Sequence, residues 1–116
     1  MHARALLGRA VEDAVVELYR RDGYVVERNF RAGRIEIDLV AARPGLAVFC
    51  EVKCRSTDRF GMPAEAVDHS KQRRIKRAAA AWLGERRPGP VEIRFDVVSA
   101  IVRDGRVELT RIEDAF

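Results

Sequence analysis

The sequence predicts an α/β domain: a central mixed sheet flanked by helices, in the order α-β-β-β-α-β-β. Two observations carry this. Apolar residues recur at helical spacing in two segments and at strand spacing in five. The second helical segment also falls between the third and fourth strands, where a crossover helix joins strands of one sheet. At 116 residues the chain suits one domain, 1–116, and is too short for two ordinary cores.

Each element has its own signal. From Arg4 to Arg21, Leu7, Ala10, Val11, Ala14, Val15 and Leu18 repeat at helical spacing, and Gly23 supplies a stop. Tyr24 to Asn29 has the β-branched and aromatic content of a short strand. Ile35 to Val40 alternates, which sends Ile35, Ile37 and Leu39 to one face and Glu36 and Asp38 to the other. Pro44-Gly45 then marks a turn into Leu46 to Lys53, so these two strands should pair antiparallel. The apolar start of that third strand suggests burial on both faces. Arg55 to Asp68 is polar, contains Gly61 and Pro63, and reads as a mobile loop. A second helix over Ser70 to Leu83 carries the stripe Ile75, Ala78, Ala79, Trp82 and Leu83, with Gly84 and Pro88 ending it. Val91 to Val102 and Val107 to Arg111 are strand-like around the hairpin signal Asp104-Gly105.

Composition narrows the class. Apolar residues make up 47% of the chain, enough for one core, and 22 basic against 18 acidic residues leave a net charge of +4. That modest excess favours a polyanionic partner over a cationic one. No apolar run approaches the ~18 residues of a membrane span and no signal-peptide pattern opens the chain, so a cytoplasmic protein without a membrane partner is expected. Cys50 and Cys54 lie about 13 Å apart if their strand is extended, too far for a disulfide, and without a nearby histidine they make a poor zinc site. Free thiols are expected.

The chemistry centres on Asp38, Glu51 and Lys53. Strand alternation puts Glu51 and Lys53 on one face, and an antiparallel neighbour lets Asp38 reach the same patch. Two carboxylates ~4 Å apart would repel by ~4 kcal/mol at an effective dielectric of 20. A divalent cation removes that penalty, and oxygen ligands with open water positions suit Mg²⁺, with Mn²⁺ able to substitute. Such an ion polarises a phosphoryl oxygen and acidifies a water, while Lys53 orients that water or stabilises developing charge. Glu12, on the first helix, can add a third carboxylate. The bland reading of Glu51 and Lys53 is a solvated salt bridge worth under ~1 kcal/mol. Position favours the functional reading, because charges ending a buried strand are costly unless they pair or bind something.

The pattern Asp38, twelve residues, then Glu51-Val52-Lys53 resembles the PD-(D/E)XK nuclease signature. More closely, the chain resembles the YraN family of nuclease-like bacterial proteins. The matching stretches are Glu36-Ile37-Asp38-Leu39, Val48 through Arg55, Phe60-Gly61, Lys71 and Arg94-Phe95-Asp96-Val97-Val98, with Gly8 and Glu12 near the start and Phe116 at the end. The resemblance implies a restriction-endonuclease-like fold, related in its core to archaeal Holliday-junction resolvases. It also implies Asp38 and Glu51 as metal ligands, Lys53 as the catalytic lysine and Glu12 as the helical acid. Val11 and Ile35 stand where the family usually has Gly.

Other residues divide between roles. Lys71 to Arg77 opens the second helix with five cations in seven residues, which reads either as a phosphate-contacting face through Lys71, Gln72 and Arg74 or as a solvated face. Asp96 suits an ion pair with Arg94 or support of the site. Glu36 suits the metal shell or pairing with Arg34 or Lys53. Trp82 sits at a core position, His2 at a frayed terminus and His69 near a helix start. The expected function is a Mg²⁺-dependent endonuclease acting on DNA ahead of RNA. The alternatives are a nucleic-acid-binding module that does not cut and an adaptor that uses the fold for protein contacts. Junction resolution would require a homodimer, since two symmetric cuts need two sites.

Overall fold

A computed structural model describes the backbone of residues 3–55 and 67–116, with side chains from 8–54 and 67–116. The elements are α1 (Ala3–Arg21), β1 (Val25–Ala32), β2 (Ile35–Arg43), β3 (Leu46–Arg55), α2 (His69–Arg86), β4 (Glu92–Arg103) and β5 (Arg106–Ile112). The order expected from the sequence is therefore the order observed. Most of the expected loop, including Phe60, Gly61 and Pro63, lies outside the described residues, as does His2.

The five strands form one sheet in the order β1-β2-β3-β4-β5. Hairpins make β1–β2, β2–β3 and β4–β5 antiparallel, while β3 and β4 run parallel with α2 between them in sequence. The sheet separates two apolar clusters. Val11, Val15, Val16 and Tyr19 of α1 pack with Leu39, Ala41, Val48, Cys50, Val98 and Ala100. Ile75, Ala78, Ala79 and Trp82 of α2 pack with Phe30, Ile37, Val40, Ala47, Phe49 and Val97. β3 contributes Ala47 and Phe49 to one cluster and Val48 and Cys50 to the other, so it is buried on both faces as its apolar run predicts.

Helix ends follow local chemistry. After α1 the Gly23 amide bonds the Arg20 carbonyl at 3.0 Å and the Tyr24 amide bonds the Tyr19 carbonyl at 3.2 Å. That double closure requires a left-handed residue, and Gly23 has φ +87°. Asp68 caps α2 by accepting from the Lys71 amide at 2.8 Å. Gly84 does not stop α2. The helix continues to Arg86 and closes at Arg87, a left-handed residue whose amide bonds the Leu83 carbonyl. The continuation lets Arg86 ion-pair with Glu27 at 2.6 Å, a tertiary contact that offsets part of glycine's helix cost of about 1 kcal/mol.

Two expectations need correction. Of the expected α1 stripe Val11 and Val15 are buried, Ala14 and Leu18 half-buried and Ala10 exposed, the Leu7 side chain lies outside the described residues, and Val16 and Tyr19 complete the buried face. Tyr19 can be buried because its hydroxyl donates to Asp96 at 2.6 Å. Nor does β2 alternate strictly: Ile35 and Ile37 pack on the α2 side, but Leu39 packs on the α1 side. β1 slips with it, since Arg28 pairs with Glu12 and Asp13 of α1 while Phe30 packs on the α2 side. Between these residues Asn29 adopts φ +54°, a conformation Asn tolerates better than most residues. The outer half of the hairpin is thereby turned over α2.

Asp96, fully buried in β4, accepts from Arg94 Nε at 2.8 Å and Nη2 at 3.0 Å, from Tyr19 Oη, and from the Asp114 amide at 3.1 Å. The expected Arg94 pair is thus part of a network that ties α1 and the C-terminal residues to the sheet. Removing one partner of a buried ion pair leaves the other charge uncompensated. Asp96→Ala should lower unfolding free energy by about 3–5 kcal/mol in urea titrations. A loss below about 1 kcal/mol would show that the network is dispensable.

Candidate functional site

The β2–β3 ladder stops at the pair Leu39–Cys50. Continued in register it would set Asp38 opposite Glu51, but the strands part there. The Asp38 Oδ2 atom accepts the Val52 amide at 2.8 Å, so a carboxylate replaces the missing backbone acceptor. One residue back, Glu51 follows Ala47 and Phe49 on the face toward α2. There the first turn of α2 delivers Lys71, whose Nζ lies 2.7 Å from Glu51 Oε1, and Lys53 Nζ lies 3.7 Å from the same oxygen. The side chains of Asp38, Glu51, Lys53 and Lys71 thus meet where the two strands diverge.

Glu51 is only 6% exposed, and its burial is balanced by two ammonium groups. Burial, with the Glu51 charge beside it and a weaker push from Glu12, raises the Asp38 pKa to about 6 against the stabilising Val52 hydrogen bond. Burial and the neighbouring Lys71 lower the Lys53 pKa. Burial also opposes the Lys71 charge, but the Glu51 hydrogen bond outweighs it and Lys71 is raised. The site thus holds the Lys71 charge more tightly than the Lys53 charge.

The other expected site residues are distributed differently. Glu12 approaches from α1 and is felt by Asp38, but its Oε1 accepts from Arg28 at 3.4 Å. Glu36 accepts from Asn29 at 2.7 Å and ion-pairs with Arg31 at 3.1 Å, instead of with Arg34 or Lys53. Gln72 donates its amide to the Val67 carbonyl at 2.9 Å, holding the entry to α2. Trp82 packs edge-on against Phe49 and donates to Glu27, so it is a core residue. His69 is the first residue of α2. Cys50 is a buried free thiol and Cys54 an exposed one. Arg74 lines a surface cleft with Arg34, Ile35, Glu36, Lys71 and Ile75. Arg34 sits in the hairpin turn after Gly33, and a solvated turn cation carries no distinguishing sequence signal.

Among the described residues, no three His, Cys, Asp or Glu side chains gather closely enough to hold a metal ion alone. Arg28 engages Glu12, which leaves two carboxylates at the strand divergence. That pair still fits a hard divalent cation, because Mg²⁺ is commonly bound by one or two carboxylates with water and substrate oxygens completing the shell. The supporting observation is the placement of two carboxylates, Asp38 on the Val52 amide and Glu51 almost fully buried, where cationic charge would relieve their repulsion and desolvation.

Fold and site together define an α/β protein whose mixed sheet carries a carboxylate–lysine cluster where two central strands part. The chain belongs to the Uncharacterised protein family UPF0102, which it matches over residues 11–100. It is 42% identical over 112 residues to a UPF0102 protein of Symbiobacterium thermophilum, covering 95% of each chain. It is 40% identical over 111 residues to one of Bacteroides thetaiotaomicron, covering 95% of this chain and 91% of that one. A relative from Dictyoglomus thermophilum is 37% identical over 103 residues, 87% of each. Among the described residues no helix is long and apolar enough to cross a membrane.

The Asp38 shift gives a pH dependence of definite sign. Its folded pKa of about 6 lies above the ordinary aspartate value of 3.8, so the folded state holds the proton more tightly and stability falls as pH rises between those values. Asp38→Asn retains an acceptor for Val52 and removes the titration. In metal-free urea titrations the variant should gain on the wild type by about 2–3 kcal/mol between pH 4 and pH 7. A difference flat with pH would refute the burial of an ionising Asp38.

Proposed function

We propose that this protein is a Mg²⁺-dependent nuclease-type phosphodiesterase acting on DNA, with Mn²⁺ able to replace Mg²⁺. The observation that carries the reading is the meeting of Asp38, Glu51, Lys53 and Lys71 at the β2–β3 divergence. The resemblance of Asp38, twelve residues and Glu51-Val52-Lys53 to the PD-(D/E)XK signature supports it. The same resemblance, with two helices flanking a five-stranded mixed sheet, supports a restriction-endonuclease-like fold.

In this reading Asp38 and Glu51 hold the divalent cation, and Glu12, released from Arg28, can add an outer carboxylate. A cation bound there supplies charge that polarises a phosphoryl oxygen and makes a nearby water easier to deprotonate. Lys53, beside Glu51 at the end of β3, is suited to orient the attacking water or to stabilise the developing negative charge. Lys71, firmly cationic, is suited to the negative charge that grows on the phosphoryl oxygens. Lys71, which contacts Glu51 at 2.7 Å, would be free to turn to the substrate were Glu51 engaged by a cation.

The second reading is a nucleic-acid-binding module that keeps this architecture without cutting. Its specific support is that Lys71 already satisfies Glu51 and Arg28 already satisfies Glu12. Linear, flap and branched DNA incubated with Mg²⁺ or Mn²⁺ separate the two. Cleavage should require the metal and fall by at least ~10²-fold in Asp38→Ala, Glu51→Ala and Lys53→Ala, with circular dichroism unchanged. Salt-sensitive binding without turnover, surviving loss of both carboxylates, would favour the module.

A further inference from the structure

We infer that the cleft between the β1–β2 hairpin tip and the first turns of α2 is a subsite for a flanking phosphodiester of the DNA strand, adjacent to the scissile one. This rests on the nuclease-type reading and adds the element that positions the strand. The cleft measures about 200 Å³ and is lined by Arg34, Ile35, Glu36, Lys71, Arg74 and Ile75. It exists because the slip at Asn29 and Asp38 turns the hairpin over α2, carrying Arg34 toward Arg74. Lys71 belongs to both places: it lines the cleft and its Nζ contacts Glu51 at 2.7 Å. A strand lying in the cleft therefore runs directly onto the carboxylate–lysine cluster.

The two guanidiniums of the cleft are available. Among the described residues Arg34 and Arg74 have no ion-pair or hydrogen-bond partner, whereas Arg28, Arg31, Arg86, Arg94 and Arg111 each rest on a carboxylate. Glu36, the one acid in the lining, is engaged by Asn29 and Arg31 and leaves both guanidiniums uncompensated. Two free guanidiniums match a phosphate, which they can grip through paired N–H donors. Ile35 and Ile75 add an apolar floor, which a sugar or base can cover and an inorganic anion cannot. Arg73 and Arg77, each two residues from Ile75, lie roughly 200° round the helix from the floor of the cleft.

The test is DNA binding by the full chain in EDTA, read as fluorescence anisotropy of labelled single- and double-stranded oligonucleotides over a range of salt. Arg34→Ala/Arg74→Ala is compared with Arg73→Ala/Arg77→Ala, which removes equal charge from outside the cleft. The cleft pair should weaken binding roughly 10-fold or more and flatten the log–log salt slope by about 0.7–0.9 per lost contact. The control pair should stay within about threefold, as expected for general field effects alone. Equal losses in both pairs, no loss in either, or no DNA binding by the wild type would each overturn the proposal. Cleavage with Mg²⁺ separates it from the nuclease reading. Cleft-dependent binding without cleavage leaves the subsite standing and removes the nuclease. Cleavage with KM unchanged in the cleft pair removes the subsite and keeps the nuclease.

Discussion

The Asp38 carboxylate accepting the Val52 amide is the contact on which the site depends. Where β2 and β3 part, a backbone donor on a central strand loses its ladder partner, and an unpaired buried amide costs about 1–3 kcal/mol. A carboxylate in that position satisfies the donor, but it is then held half-sunk beside Glu51. Burial and the Glu51 charge beside it raise the Asp38 pKa. The structure meets this by placing two lysines opposite the acids, one from the same strand and one from the first turn of α2.

The strand divergence is tied to the slip in the hairpin. Asn29 in the left-handed region and Asp38 facing it interrupt the alternation of both strands together. Before the break, side chains of β1 and β2 divide regularly between α1 and α2. Beyond it, Phe30, Ala32, Ile35 and Ile37 all serve the α2 side. One irregularity thus frees a carboxylate for the site and folds the hairpin tip over the helix that delivers Lys71. The Asp96 network anchors the other side of the sheet, tying α1 to β4 and to the C-terminal residues.

Much of the fold was legible in the sequence. Both helices, all five strands and the Pro44-Gly45 and Asp104-Gly105 turns are announced by periodicity and turn chemistry, which act over a few residues. The pairing of Glu51 with Lys53 was legible for the same reason, since two residues in a strand share a face. The stripe of α1 was legible at Val11 and Val15 but not at Tyr19, whose hydroxyl is satisfied by a partner 77 positions away. The end of α2 was misplaced because Arg86 gains Glu27 of β1, on the face of the sheet that α2 covers. The partners of Glu36 and Glu12, and the break in β2 alternation, were likewise invisible to local pattern.

Sequence alone determined which ionisable groups stand at the ends of which strands, because backbone geometry repeats every two or 3.6 residues and fixes local direction. It also carried enough co-occurring motifs for the family to be recognisable. Tertiary structure decided which of those groups meet. Lys71 reaches Glu51, Arg28 takes Glu12, and Arg34 comes beside Arg74, because each depends on how a hairpin and two helices pack across a sheet. Those contacts join residues far apart in the chain, and no repeat along a single segment encodes the distance between them.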